Sequence, residues 1–347
     1  MTTILDEQHL EAAQAHGLKV LARPWTSAGE LFDAERARTA IAAFDRHPAL
    51  WAWYVVDEPD LHRVAPTAVR EVHRFIKGLG ATKPTALVIF QGSTALEYAN
   101  IVDITMIDRY PIPWLPLANF PQHVRMARLA LGPHKPLIAV IQAFDWSAYP
   151  DLLPGRRNLR FPTYAELRCM TYCALVRQAN GLFYYCFDDG RWQLQEHAEL
   201  WQSLTNVVAE VNARLPLFKA NHVWWPYDHD FGDPAHAFNE ALESSVTPAM
   251  LQVEEGNGTV AAGNYVLAVN TTERAHQYRF RLPKVLSEDV AVLGEGRTRP
   301  VRKGWVEDEF GPFAVHVYGP LRLSDGVRSK NLRTADGNHP RGAWQRR

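Results

Sequence analysis

Cysteine is scarce in this chain and its placement implies no cross-links. The three thiols, Cys169, Cys173 and Cys186, are odd in number and fall inside predicted core elements, so buried free thiols fit better than a disulfide framework. Cys169 and Cys173 stand four residues apart, but no CxxC pair and no His at ligand spacing accompanies them, and no metal site is expected. No run approaches the roughly 18 apolar residues of a membrane helix, so no membrane partner is expected. Net charge is −1, without the clustered Lys and Arg of a nucleic-acid or anionic-membrane surface. The one basic stretch, Arg328 to Arg347, is poor in apolar residues and reads as a frayed tail rather than a nucleic-acid arm. No glycine-rich phosphate loop follows any predicted strand, which counts against a nucleotide-binding sheet, and no cofactor is expected. The opening MTTILDEQHLEAAQ lacks the basic and apolar regions of a signal peptide. A cytoplasmic location is the default expectation, with secretion the alternative if the start is truncated.

What is present is alternation. Short apolar strands are predicted at Leu18 to Ala22, Leu50 to Val56, Thr85 to Phe90, Ile101 to Ile107, Leu137 to Ile141 and Leu182 to Phe187. Amphipathic segments lie between them, among them Val64 to Leu79, Phe120 to Leu131 and Tyr164 to Gln178, and Leu200 to Leu215 follows. Thr163 and Glu166 have capping-box spacing at the head of the third segment, and Asn180-Gly181 closes it. Strands that are apolar throughout suit a parallel sheet covered on both faces. The predicted class is α/β: a TIM-barrel-like domain over residues 1–220, incomplete with six βα units. Beyond it the texture turns all-β, with Asn264 to Asn270, Gln277 to Leu282, Val290 to Leu293 and Phe313 to Tyr318 as short strands. An antiparallel β-sandwich is expected over 221–325, then a flexible tail over 326–347.

In a parallel barrel the carboxyl ends of all strands meet on one face, so polar residues there gather however far apart they lie in sequence. Those ends carry Arg23, Trp25, Asp57, Glu58, Gln91, Asp108, Tyr110, Gln142, Asp145, Asp188 and Asp189. Carboxylates, amides and aromatics without a His or Cys cluster disfavour metal or thiol chemistry and suit glycoside hydrolysis, in which one carboxyl protonates the leaving oxygen and another activates water or attacks the sugar. Trp25, Trp114, Trp146, Tyr149 and Trp192 fall in loops after strands, where they could stack on sugar faces or simply pack.

HPALWAWYVVDEPD resembles the fourth strand of clan A-type (β/α)8 glycoside hydrolases, in which a Glu before Pro is the general acid/base. The resemblance implies that Glu58 is that acid, with Asp57 in place of the usual Asn. DITMIDRYP is similar to a sixth strand whose Tyr faces the site, KPLIAVIQAF to a seventh and GLFYYCF to an eighth; YVLAVNTT and DEFGPFAVHVY look like the appended β-sandwich. The clan's nucleophile is a Glu ending the seventh strand, where this chain has Gln142, so either the second carboxylate comes from elsewhere or the protein does not hydrolyse glycosides. Asp108 is the first substitute, Asp188 or Asp189 the second. Only one strand precedes the Asp-Glu-Pro strand, so the first two barrel strands are missing and two sheet edges are open to self-association or a covering partner.

The expected function is hydrolysis of glycosidic bonds, with Glu58 as acid, Asp108 as base, and Asp57, Tyr110, Gln142, Trp25, Trp146, Asp188 and Asp189 as substrate-binding residues. A carbohydrate is the expected partner. The alternatives are an inactive carbohydrate-binding protein and a truncated hydrolase fragment. Asp57 to Asp60 could also be no more than the capped start of a helix.

Overall fold

The computed structural model describes residues 5–24, 32–223, 229–230, 245–282 and 285–322. Trp25 and the predicted tail lie outside them. Two compact units divide the chain: one gathers residues 1–111, 119–142 and 177–186, the other residues 112–118, 143–176 and 187–347.

The first unit holds a six-stranded sheet, β1 (Val20–Ala22), β2 (Leu50–Val56), β3 (Thr85–Ile89), β4 (Ile104–Asp108), β5 (Leu137–Gln142) and β6 (Gly181–Tyr185). Every neighbouring pair is parallel and the spatial order is strictly sequential, β1 to β6. That order decides between the two parallel architectures. A doubly wound sheet reverses its order at a switch point, whereas a barrel adds each strand beside the last. The unit is therefore an incomplete TIM barrel, with β1 and β6 as its edges.

Helices α1 (Glu7–Ala15), α2 (Ala34–Phe44), α3 (Pro66–Gly78), α4 (Ala95–Tyr98) and α5 (Asn119–Leu131) belong to this unit. Asp6 and Asp33 cap α1 and α2 by accepting from backbone amides in their first turns. Helix α3 starts with Pro66, whose missing N–H is no loss in a first turn. Along the strands, alternate residues build one apolar cluster: Leu21, Ala52, Tyr54, Ala86, Val88, Ile104, Met106, Ile138 and Val140. The two-residue period carries this face forward to Asp108 on β4 and Gln142 on β5, so the polar ends follow from the apolar pattern.

Among the described residues, the second unit holds α6 (Tyr164–Val176), α7 (Ala198–Ala213), α8 (Leu215–Phe218) and nine strands. These are β7 (Asn221–Val223), β8 (His229–Asp230), β9 (Val246–Val253), β10 (Gly263–Asn270), β11 (His276–Arg281), β12 (Asp289–Val292), β13 (Arg297–Pro300), β14 (Trp305–Phe310) and β15 (Val315–Leu321). They form a six-stranded sheet ordered β13-β12-β15-β10-β9-β7 and a three-stranded sheet ordered β14-β11-β8. Val266, Ala268 and Met250 from the larger sheet share a core with Tyr278, Phe280, Val306 and Phe310 from the smaller one, as in a sandwich. The capping box that opens α6 is formed: Thr163 N–H and Oγ1 donate to Glu166 Oε2 at 2.8 and 2.9 Å, and Glu166 N–H donates back at 3.3 Å.

Candidate active site at the strand ends of the first unit

Strand β2 ends at Val56, and the four residues that follow, three of them acids, do not start a helix. Helix α3 begins only at Pro66, so Asp57 to Asp60 form a turn of their own. Leu61 and His62 donate their amides to the Glu58 carbonyl, both at 3.0 Å, and Val64 donates to that of Pro59 at 2.8 Å. Within this turn Glu58 has φ of 36°, a left-handed conformation that costs a non-glycine residue about 1–3 kcal/mol and persists only where surrounding contacts impose it.

Each acid in the turn has a different environment. The Tyr54 hydroxyl donates to Asp57 Oδ1 at 2.5 Å, and the buried Arg23 guanidinium lies 4.0 Å from Asp57 Oδ2 and 5.2 Å from the Tyr54 ring centre. Asp60 accepts the Phe90 and Gln91 amides at 3.0 and 2.8 Å and the Thr94 hydroxyl at 2.7 Å, tying the end of β2 to the end of β3. Glu58, mostly buried, faces the Asp108 carboxyl at the end of β4, and each acts on the other's proton affinity. Its one close basic neighbour on the same turn is His62, with Nε2 4.0 Å from Oε2.

Two carboxyls in contact cannot both ionise cheaply. Burial, then the Asp57 charge, push Glu58 up to about 7; the Asp108 bond and Arg109 pull the other way without cancelling the rise. Burial, then the Glu58 and Asp57 charges, hold Asp108 well above the usual carboxylate range. The pair therefore retains a proton near neutral pH and titrates as a unit. Tyr110 hydrogen-bonds Asp108, and its phenol is also held high by burial and by the two carboxyls. The Tyr110 ring stacks on Tyr185 from β6, with centroids 5.7 Å apart and planes at 22°. Arg109 points along the same end of β4, its guanidinium 4.3 Å over the Phe90 ring and its Nε bonded to Asn119 Oδ1 at 2.5 Å.

The sequence-predicted residues thus divide. Asp57, Glu58, Asp108 and Tyr110 meet at the ends of β2 and β4, and Gln142 is fully buried at the end of β5, paired in register with Tyr185. Asp188, Asp189 and Trp146 belong to the second unit. There Asp188 accepts the Gly190 amide at 2.9 Å, while Asp189 accepts the Arg191 and Trp192 amides at 3.0 and 2.9 Å and the Tyr149 hydroxyl at 2.6 Å. Those bonds are the chemistry of an Asx turn. Trp146 packs edge-on against Trp114, Phe144 and Tyr149. Sequence reasoning missed Tyr54 and Tyr185, although both lie on the alternate positions that build the apolar cluster, and it missed the anchoring role of Asp60. Among the described residues, no group of three or more His, Cys, Asp or Glu could hold a metal ion, and no helix is long and apolar enough to cross a membrane.

No protein-family pattern and no curated protein matches the sequence. Solved structures do match in fold. AmyP in complex with maltose aligns with a TM-score of 0.51 at 10% identity, over 92% of this chain and 78% of that one. An Anoxybacillus alpha-amylase gives 0.52 at 10% identity, over 92% and 79%. A catalytic mutant of a GH42 beta-galactosidase from G. stearothermophilus gives 0.54 at 10% identity, over 91% and 90%. In fold, this chain, with six parallel barrel strands among the described residues followed by a β-sandwich, is accordingly similar to these barrel enzymes.

Proposed function

We propose that this protein acts on carbohydrate by glycoside hydrolysis, with Glu58 as the general acid. The observation that supports this best is the proton held by Glu58 near neutral pH, at the mouth of a barrel strand and against a second carboxyl. A general acid is most effective when its pKa lies close to the working pH. Delivery of that proton to the leaving glycosidic oxygen leaves the Glu58 carboxylate beside Asp108, and that new negative charge is stabilised by the positive charge developing at the anomeric carbon. The attraction is absent from the protonated ground state and present in the oxocarbenium-like transition state, which is the differential binding that catalysis needs.

Asp108 serves here as proton partner and electrostatic stabiliser. It acts on the Glu58 proton directly, whereas acid and nucleophile or base stand roughly 5 to 9.5 Å apart in two-carboxylate glycosidases. That interaction, with the amide of Gln142 where a third carboxyl would be useful, also favours a second reading: a carbohydrate-binding protein without turnover.

The two readings separate on Glu58→Gln. Wild type and variant are assayed on a panel of 4-nitrophenyl glycosides, and binding of the corresponding free sugars is followed by calorimetry. Hydrolysis predicts a loss of about 10²- to 10⁴-fold in kcat with sugar binding retained. Sugar binding by both proteins without turnover by either selects the second reading, and neither turnover nor sugar binding on the panel rejects both.

A further inference from the structure

The turn Asp57-Glu58-Pro59-Asp60 carries three acids, and two of them are fully committed to holding the chain. Asp57 is tied back to its own strand by the Tyr54 hydroxyl and faces Arg23. Asp60 is tied sideways to the next strand by two backbone amides and the Thr94 hydroxyl. Glu58 lies between these anchors in a left-handed conformation, its carbonyl engaged by the Leu61 and His62 amides. Nothing in local propensity favours this arrangement. A relaxed turn would give Glu58 an ordinary backbone conformation, and repulsion from Asp57, Asp60 and Asp108 would drive its side chain out to solvent.

We propose that Tyr54 and Asp60 are positioning residues, forming a two-sided clamp that holds the Glu58 backbone in its left-handed conformation and so keeps its carboxyl against Asp108. The clamp explains why an acid-rich turn is used where a single Glu would supply the proton. Asp57 and Asp60 fix the turn, Pro59 stiffens it, and only Glu58 is presented to the site. The inference rests on the reading of Glu58 as acid only for its effect on turnover; the clamp itself is measurable in the resting protein.

The groups that face Glu58 are Asp57, Asp60 and His62 on its own turn and Asp108, Arg109 and Tyr110 at the end of β4. The test is a titration of Glu58 followed by 13C NMR on protein labelled at the Glu carboxyl carbon, assigned by Glu58→Gln. Tyr54→Phe removes one hydroxyl and keeps the ring, and Asp60→Asn removes an acceptor while keeping shape. In each variant the Glu58 midpoint should fall from about 7 toward 4.5, the ordinary value for a solvated Glu.

A coupling measurement separates positioning from a direct electrostatic effect. In the wild type, Asp108→Asn should shift the Glu58 midpoint, because it replaces the carboxyl that pulls that midpoint down. In Tyr54→Phe and Asp60→Asn the same change should do little, because the carboxyls have already parted. A midpoint that stays near 7 in either folded variant overturns the two-sided clamp, and so does an undiminished response to Asp108→Asn. A lowered melting temperature with an unchanged titration would assign both residues a purely structural role and likewise overturn it. Absence of glycosidase activity would remove the proposed function while leaving this result to stand or fall by itself.

Discussion

The Glu58 and Asp108 carboxyls face one another across the ends of β2 and β4, with Asp57 close enough to raise the proton affinity of both. Glu58 must be protonated to act as an acid, so activity should be full below about pH 7 and decline as pH rises through that value. Asp57→Asn takes away the like charge that raises Glu58 while keeping the shape. The alkaline limb of the rate profile should move to lower pH, measured as kcat against pH on an aryl glycoside. A limb that stays in place would mean that burial alone sets the Glu58 proton.

The same proton links stability to pH. Glu58 is held up to about 7 in the fold against an ordinary 4.5, so between those values the folded protein binds more protons than the unfolded chain. Stability from this group is therefore full below 4.5 and declines as pH rises toward 7, the reverse of a carboxyl held low by partners. With 19% of its side chain exposed, Glu58 is screened little by solvent, and the full difference is on the order of 3 kcal/mol. Glu58→Gln should be more stable than the wild type at pH 8 by up to that amount and nearly equal to it at pH 4. Urea unfolding at the two pH values measures the difference; an equal effect at both would place the charge penalty elsewhere.

Which parts of this site could be read from sequence depends on whether the signal is local. Strand β2 was legible to the residue, because LWAWYVV is apolar throughout and the acids after it mark its end. Strand β4 starts at Ile104 rather than Ile101. Asp103 accepts the Thr85 amide at 2.8 Å and Ile101 donates to Tyr98 in a turn, so two buried apolar residues precede the strand instead of opening it. Strand β6 ends at Tyr185, two residues earlier than its apolar run. Glu58 and Asp108 were visible as acids that terminate apolar strands. Tyr54 was not, since within a buried run a tyrosine reads as packing until its hydroxyl partner is known. Nor was Asp60, whose three donors all come from residues about thirty positions later, a pairing that exists only once β2 and β3 are side by side.

Gly92 is required by close approach rather than by backbone conformation. A Cβ there would stand 2.1 Å from the His123 carbonyl oxygen and 2.9 Å from its carbon, both backbone atoms of α5. The Gly92 amide also donates to His123 Nδ1 at 2.9 Å; burial, then the Arg109 charge, lower that imidazole to about 4, which keeps it neutral and able to accept. Gly92→Ala must push the segment after β3 away from α5, at a cost of about 1–3 kcal/mol for overpacking. Because Gln91 is one of the Asp60 anchors, the displacement should reach the Glu58 turn. Chemical denaturation should show the loss in stability and the Glu58 titration a fall in midpoint. A wild-type midpoint in a destabilised Gly92→Ala protein would show that the anchor tolerates the shift.

Gln142 tests whether the site can accept a third acid. It is fully buried at the end of β5, on the face that carries Asp108 at the end of the adjacent strand, and a carboxylate there would meet the charge already shared by Asp108 and Glu58. Gln142→Glu is nearly isosteric and neutral when protonated, so at pH 4.5 the variant should melt close to the wild type. At pH 8 ionisation must occur in a site where burial and like charges both oppose it, and the variant should be destabilised by about 1–3 kcal/mol, seen as a melting temperature several degrees lower. The pH dependence carries the argument. A deficit of the same size at both pH values would mean that the loss comes from the hydrogen bonds of the amide, and that the end of β5 does not share the electrostatic environment of Glu58 and Asp108.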